Sequence, residues 1–292
     1  MTSPELLDYT GRTPFFFLPR LSRLTGNSLY VKYDGAAMGG SSQCRIATAI
    51  LKKALESGRV NPGNCVVEAC RADMALALSQ ASTILDLRLI VVMLSSTPRP
   101  ILNLIHAMGT EIVLSEAEGG MKGARDKAEF IHHDIWNSYW PNIGHSDTAV
   151  TLHDELTGTE LVDDCRSAGI TPDMFFCCMD SGATITGAGT CLKREFPDII
   201  VTGVRCEAAY PGAEQTLLPE GLVDSTINVS DKDMLKTSRR LLKMEAVCGG
   251  PALGACLHAA LTSSLGQESR GKNIILLCPD NGERYLHANM FV

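Results

Sequence analysis

Short apolar runs alternate along this chain with longer stretches in which apolar positions recur every three or four residues. The runs at 28–32, 64–68, 88–94, 111–114, 174–178, 199–205 and 273–278 are rich in Val, Ile and Leu, with little polar alternation. Such continuity predicts strands covered on both faces. Helix-type spacing fills 43–57, 74–85, 98–108, 121–134, 184–196, 231–244 and 252–265. Strands alternating with helices predict an α/β fold with parallel sheets. Pro62, Gly63 and Gly109 punctuate the turns. Ser230-Asp231-Lys232-Asp233 reads as a helix start with acidic residues in its first turn.

Composition narrows the function classes. The 292 residues are 45% hydrophobic and 20% charged, which suits a packed core and excludes wholesale disorder. Lys and Arg number 26 against 33 Asp and Glu, a net charge of −7. That balance speaks against a nucleic-acid-binding role. No stretch approaches the roughly 18 apolar residues of a membrane span. Residues 1–9 lack a basic-then-apolar signal design. A cytoplasmic protein with no membrane partner is expected. The 11 cysteines are scattered without a C-x-x-C pair, so they read as buried reduced thiols, not as a zinc site. His132 and His133 share no metal spacing with the other histidines and read as surface or cap residues; no metal is expected.

Three loop-to-helix junctions are the natural ligand sites: Gly39 to Arg45, Glu68 to Met74, and Asp180 to Thr184. Ligands in open α/β sheets bind beyond strand carboxyl ends, where a helix N-terminus favours an anion. The third junction is the best phosphate candidate, because small residues allow close approach and Ser181, Thr184 and Thr186 bring hydroxyls. The same composition also makes an ordinary helix cap.

Motifs in order along the chain then carry a resemblance. Thr10-Gly11-Arg12-Thr13-Pro14 is similar to an opening G-N-T-P. Gly39-Gly40-Ser41 through Arg45-Ile46-Ala47 is similar to G-G-S-x-K-D-R-I-A. Gly120-Met121-Lys122-Gly123-Ala124 corresponds to G-M-K-G-A, and Ser181 through Gly187 to T-G-G-T-I-T-G. Cys248-Gly249-Gly250 and Pro279-Asp280-Asn281-Gly282-Glu283-Arg284-Tyr285 complete the series. The chain resembles the cysteine synthase and cystathionine β-synthase family, whose members use pyridoxal phosphate (PLP) in fold type II. The resemblance implies a two-domain, tryptophan-synthase-β-like, three-layer α/β/α fold with parallel sheets. It places a smaller domain at 36–145 and a larger one at 1–35 plus 146–292, with a cleft between, and implies a homodimer.

Several cofactor positions depart from the family. The motif lysine that forms a Schiff base with PLP is here Gln43, whose amide is no amine nucleophile, and the following Asp is Cys44. The T-S-G-N-T-G loop reads Cys70-Arg71-Ala72-Asp73-Met74-Ala75, so Asp73 replaces the Asn that faces the PLP 3'-oxygen. Pro251 stands for the Ser that bonds the pyridine nitrogen, and Asp180 for the first Gly of the phosphate loop Ser181-Gly182-Ala183-Thr184. Lys32 and Lys122 are the reserve lysines. These departures lead to the expectation of no cofactor.

Three readings follow. The first is a repurposed, PLP-independent lyase or isomerase acting by acid/base chemistry on a small anionic molecule. Cys70, Asp73, Asp180 and Gln43 would be its catalytic residues, and Arg71, Cys44, Ser41 and Ser42 would hold the ligand. The second is a pseudoenzyme that binds, regulates or scaffolds, including as a heteromer with an active paralogue. The third is amino-acid β-replacement with PLP, of the cysteine synthase type.

Overall fold

In chain order the first elements are β1 (Phe15–Phe17), α1 (Pro19–Thr25), β2 (Ser28–Tyr33), α2 (Gln43–Glu56), β3 (Cys65–Ala69) and α3 (Ala72–Ile84). Next come β4 (Arg88–Leu94), α4 (Arg99–Ala107), β5 (Glu111–Ser115) and α5 (Gly120–Asp134). A helix α6 (Asp147–Leu152) runs through a π-helical turn (His153–Gly158) into α7 (Thr159–Ser167). The chain continues with β6 (Met174–Cys178), α8 (Ala183–Glu195), β7 (Ile200–Arg205), β8 (Ser225–Asn228), α9 (Asp231–Glu245), α10 (Pro251–Ser263) and β9 (Asn273–Cys278). These elements belong to a computed structural model that describes residues 6–263, 270–288 and 290–292. The expected end of the last helix at Leu265 lies outside the described residues.

The chain divides into two units. One comprises Gln43–Ala149 with the N-terminal residues through Thr10; the other comprises Gly11–Ser42 and Val150–Val292. The first unit holds a parallel sheet in the order β3-β4-β5. Cys65, Val67, Ile90 and Val92 point to one face and pack on Ala124 and Ala128 of α5. Helices α2 and α3 pack on each other, and α3 also meets β4.

The second unit holds a six-stranded sheet ordered β1-β2-β9-β6-β7-β8, parallel except for the β1–β2 pair. Its strands show why continuous apolar runs mean two covered faces. Phe176, Cys178, Ile274 and Leu276 join α9 and α10 residues in one core. Their sequence neighbours Phe175, Cys177, Ile275 and Leu277 join α7 and α8 residues in another. With side chains alternating at period two, each face buries its own set. The fold is therefore three-layer α/β/α with helices on both sides of a largely parallel sheet. Among the described residues, no helix is long and apolar enough to cross a membrane.

The sequence pattern misses β1, β8, α1 and the helix over 147–167. Three-residue β1 is too short for a periodicity. In the last case the π turn inserts a wider repeat, so the apolar positions drift off a single α-helical stripe.

Candidate functional site

In the first unit, the β3–α3 junction gathers Cys70, Arg71 and Asp73. Arg71 stands at the N-cap of α3 with extended backbone, and Asp73 lies in the first turn. Cys70 is buried, and burial with the nearby Glu68 carboxyl pushes its thiol well above the ordinary range. A nucleophilic cysteine needs the opposite shift, so the chemistry expected of Cys70 has no electrostatic support. Gln43 is the first residue of α2, and Cys44 behind it is buried.

Glu68 is the residue that sequence inspection overlooks. It is 1% exposed, and its Oε2 accepts the Ile143 N–H at 3.2 Å. Desolvation raises its carboxyl from 4.5 to about 8, against the lowering effect of the Ile143, Ala69 and Asn142 amides. Between those two values the folded chain holds a proton that the unfolded chain has lost. Stability contributed at this site therefore falls as pH rises through the window, and the fall ends above it. A Glu68→Gln variant lacks this titration. Its unfolding free energy relative to the parent should rise by a few kcal/mol between about pH 5 and about pH 9. Denaturant titrations at both pH values check it; a constant difference contradicts the assignment.

In the second unit, Ser41 and Ser42 are each 1% exposed. Ser41 bridges to Asp280, and the Ser42 N–H donates to the Pro279 carbonyl at 2.7 Å. Gly249 bridges to Asn281, placing Pro251, the first residue of α10, beside the same 279–281 segment. A Cβ on Gly250 would lie 2.2 Å from the Asp280 carboxylate, so this packing requires glycine.

The phosphate-type junction is built at the mouth of α8. Gly182 has φ 92°, the left-handed region. A Cβ there would come within 3.0 Å of Leu218 Cβ. The Ser181 carbonyl accepts the Leu217 N–H at 2.9 Å, and Thr186 Oγ1 donates to the Leu217 carbonyl at 2.8 Å. The Asp180 carbonyl accepts from Gln215 Nε2 at 3.4 Å. Ser181 Oγ accepts the Ala183 N–H at 3.4 Å. First-turn N–H groups beyond it lack intrahelical partners by geometry. The result is a backbone cradle of small residues under a positive helix end, which suits a phosphate.

The reserve lysines are committed elsewhere. Lys32 is fully buried, with Nζ donating to Thr13 O at 2.8 Å, Glu160 at 2.5 Å and Asp164 at 2.6 Å. An ammonium has three donors, and all are used. Lys122 is an exposed residue of α5 paired with Asp126. All 11 cysteines are free thiols, and all but the half-buried Cys248 are buried.

A family model described as pyridoxal-phosphate dependent enzyme matches residues 6–280. A probable cysteine synthase of Bacillus subtilis (strain 168) is 29% identical, over 97% of this chain and 96% of that protein. The crystal structure of an O-ureido-L-serine synthase superposes with a TM-score of 0.90 at 26% identity, covering 100% of this chain and 96% of its own. A lysine-to-alanine mutant of that synthase, solved with O-ureido-L-serine bound, matches at 26% identity and TM-score 0.90, covering 100% of this chain and 94% of its own. These matches overturn the expectation of a cofactor-free chain, which rested on the departures at Gln43, Asp73, Asp180 and Pro251. The phosphate cradle at Ser181–Thr184 is independent of that anchor and fits the cofactor's phosphate.

Proposed function

The chain belongs to the family of pyridoxal-phosphate dependent enzymes, and on that premise we propose that it is a cysteine-synthase-like protein that binds PLP through its phosphate, without a lysine link. The observation that carries this is the mouth of α8, where Gly182 in the left-handed region packs under Leu218 and the first-turn N–H groups of the helix have no intrahelical acceptor by geometry. Ser181, Gly182, Ala183 and Thr184 would hold the phosphate. When bound, PLP supplies an electron sink for the α-carbon of an amino acid. Arg71, at the N-cap of α3, carries a guanidinium suited to a small carboxylate. Gln43 can orient a ligand by hydrogen bonding, but its amide neither attacks a carbonyl nor takes a proton.

The relatives are named as synthases, and amino-acid β-replacement is the reaction class this reading implies. The amide at position 43 favours binding over rapid turnover. The synthase mutant in which one lysine is replaced by alanine was solved with O-ureido-L-serine bound, which supports a binding reading.

The test is a titration of the purified chain with PLP, followed by thermal unfolding. Saturating PLP, at about a hundred times its Kd, should stabilise the fold by about 2.7 kcal/mol. In Gly182→Val the added Cβ strains φ and meets Leu218, so the stabilisation should vanish while the variant keeps its folded spectrum. Equal stabilisation of both proteins refutes the cradle, and no stabilisation of the parent refutes PLP binding.

A further inference from the structure

His153 has no part in the reading above, yet it is 2% exposed and both ring nitrogens are engaged. It opens the π turn His153–Gly158. Its Nδ1 lies 2.9 Å from the Thr157 hydroxyl, four residues along the same turn, which fixes the ring plane. Its Nε2 lies 3.1 Å from Thr184 Oγ1. Thr184 is the second residue of α8, inside the cradle.

The approach of the two helices that makes this bond is itself built in. A Cβ on Gly187 would sit 2.4 Å from the Val150 carbonyl and 2.6 Å from the Asp154 nitrogen. A Cβ on Gly158 would sit 2.4 Å from Cys191 Cβ. Two glycines thus bring the π turn against α8, at the length of helix where His153 meets Thr184. π turns of this kind cluster at functional sites. A buried imidazole is costly unless both nitrogens are satisfied. Here one of its partners is a hydroxyl that the anion cradle can use.

We propose that His153 is a positioning residue: it holds the Thr184 hydroxyl at the mouth of α8 so that this hydroxyl serves the bound phosphate. With Nε2 bonded to Oγ1, the side chain of Thr184 is confined to one rotamer, and its remaining hydrogen-bonding capacity is directed to the ligand. Thr157 acts one step further back by fixing the ring. The inference rests on the reading of Ser181–Thr184 as a phosphate cradle.

The experiment measures dissociation constants for inorganic phosphate and for PLP by calorimetry. It uses the parent, Thr184→Ala, His153→Phe, His153→Gln and the double variant His153→Phe/Thr184→Ala. Phe keeps the ring volume and removes both nitrogens; Gln returns a polar end. Thr184→Ala and His153→Phe should each weaken both ligands roughly tenfold. The double variant should be no weaker than either single one, and His153→Gln should recover part of the loss.

Parent-like binding by His153→Phe overturns the proposal, as does a loss in the double variant equal to the product of the single losses. If Thr184→Ala binds as the parent does, the cradle reading fails, and that result is distinct from an effect confined to His153. Should His153→Phe unfold, Thr157→Val carries the test. It should weaken phosphate binding with the melting temperature held near the parent's, and unchanged binding in it overturns the proposal.

Discussion

A Gln43→Lys variant, mixed with PLP and reduced with borohydride, should carry the cofactor covalently on the peptide containing residue 43, whereas the parent should carry none there. The physical basis is local. Residue 43 is the first of α2 and half-buried. The positive end of the helix disfavours an ammonium, which lowers the lysine pKa and leaves more neutral amine to attack the aldehyde. The same amine is a base where glutamine is not. β-Replacement turnover in the variant should therefore exceed that of the parent by on the order of 10² or more. A labelled parent peptide elsewhere, for example at Lys32 or Lys122, would contradict the assignment of those lysines to ion pairs. Absence of label in the variant would contradict the reading of residue 43 as the counterpart of the family's motif lysine.

The largest stability effect should come from Lys32→Met. Lys32 is fully buried and bonded to Thr13, Glu160 and Asp164. Glu160 also accepts the Thr13 N–H at 2.6 Å, and the Thr13 hydroxyl donates to Asp34 at 2.6 Å. Removing the ammonium leaves two carboxylates close together with no cation between them. Breaking a buried pair costs about 3–5 kcal/mol. The low end applies, because the Glu160 and Asp164 side chains keep 16% and 25% of their exposure. Guanidinium unfolding should show the loss as a lower midpoint with an unchanged slope. A midpoint equal to the parent's would mean that the network contributes nothing net. PLP should still bind the variant at temperatures where it is folded, since Lys32 has no role in holding the cofactor.

The candidate site was legible in unequal parts. Gly182 and Thr184 stand out in the sequence because small residues and hydroxyls follow a strand and open a helix. Gln43 stands out because Arg45-Ile46-Ala47 fixes its place in a motif. The departures at Gln43, Asp73, Asp180 and Pro251 were overweighted: a missing lysine removes a covalent bond, but in the proposed reading the phosphate would be held by backbone amides and a helix end, which the sequence retains. His153 was illegible. It meets Thr184 across 31 residues, and nothing in its neighbourhood marks it as more than a helix histidine. Glu68 was hidden for a related reason. Sequence spacing already covers its strand on both faces, but it does not show that Glu68 stays 1% exposed with Ile143, 75 residues away, as its amide partner.

Local rules acting on the sequence thus determined the sheet type and the elements other than β1, β8, α1 and the helix over 147–167. Continuous apolar runs such as Phe175-Phe176 and Ile274-Ile275 require two cores, and that requirement selects a parallel, doubly covered sheet. The tertiary structure alone decided which polar groups were taken out of water and with whom. Lys32 is consumed by Glu160 and Asp164, Glu68 is desolvated into a high-pKa acid, and His153 is drawn to the helix mouth by two glycines. Desolvation and pairing depend on neighbours far apart in the chain, and the energies at stake are set by burial, which no local pattern encodes.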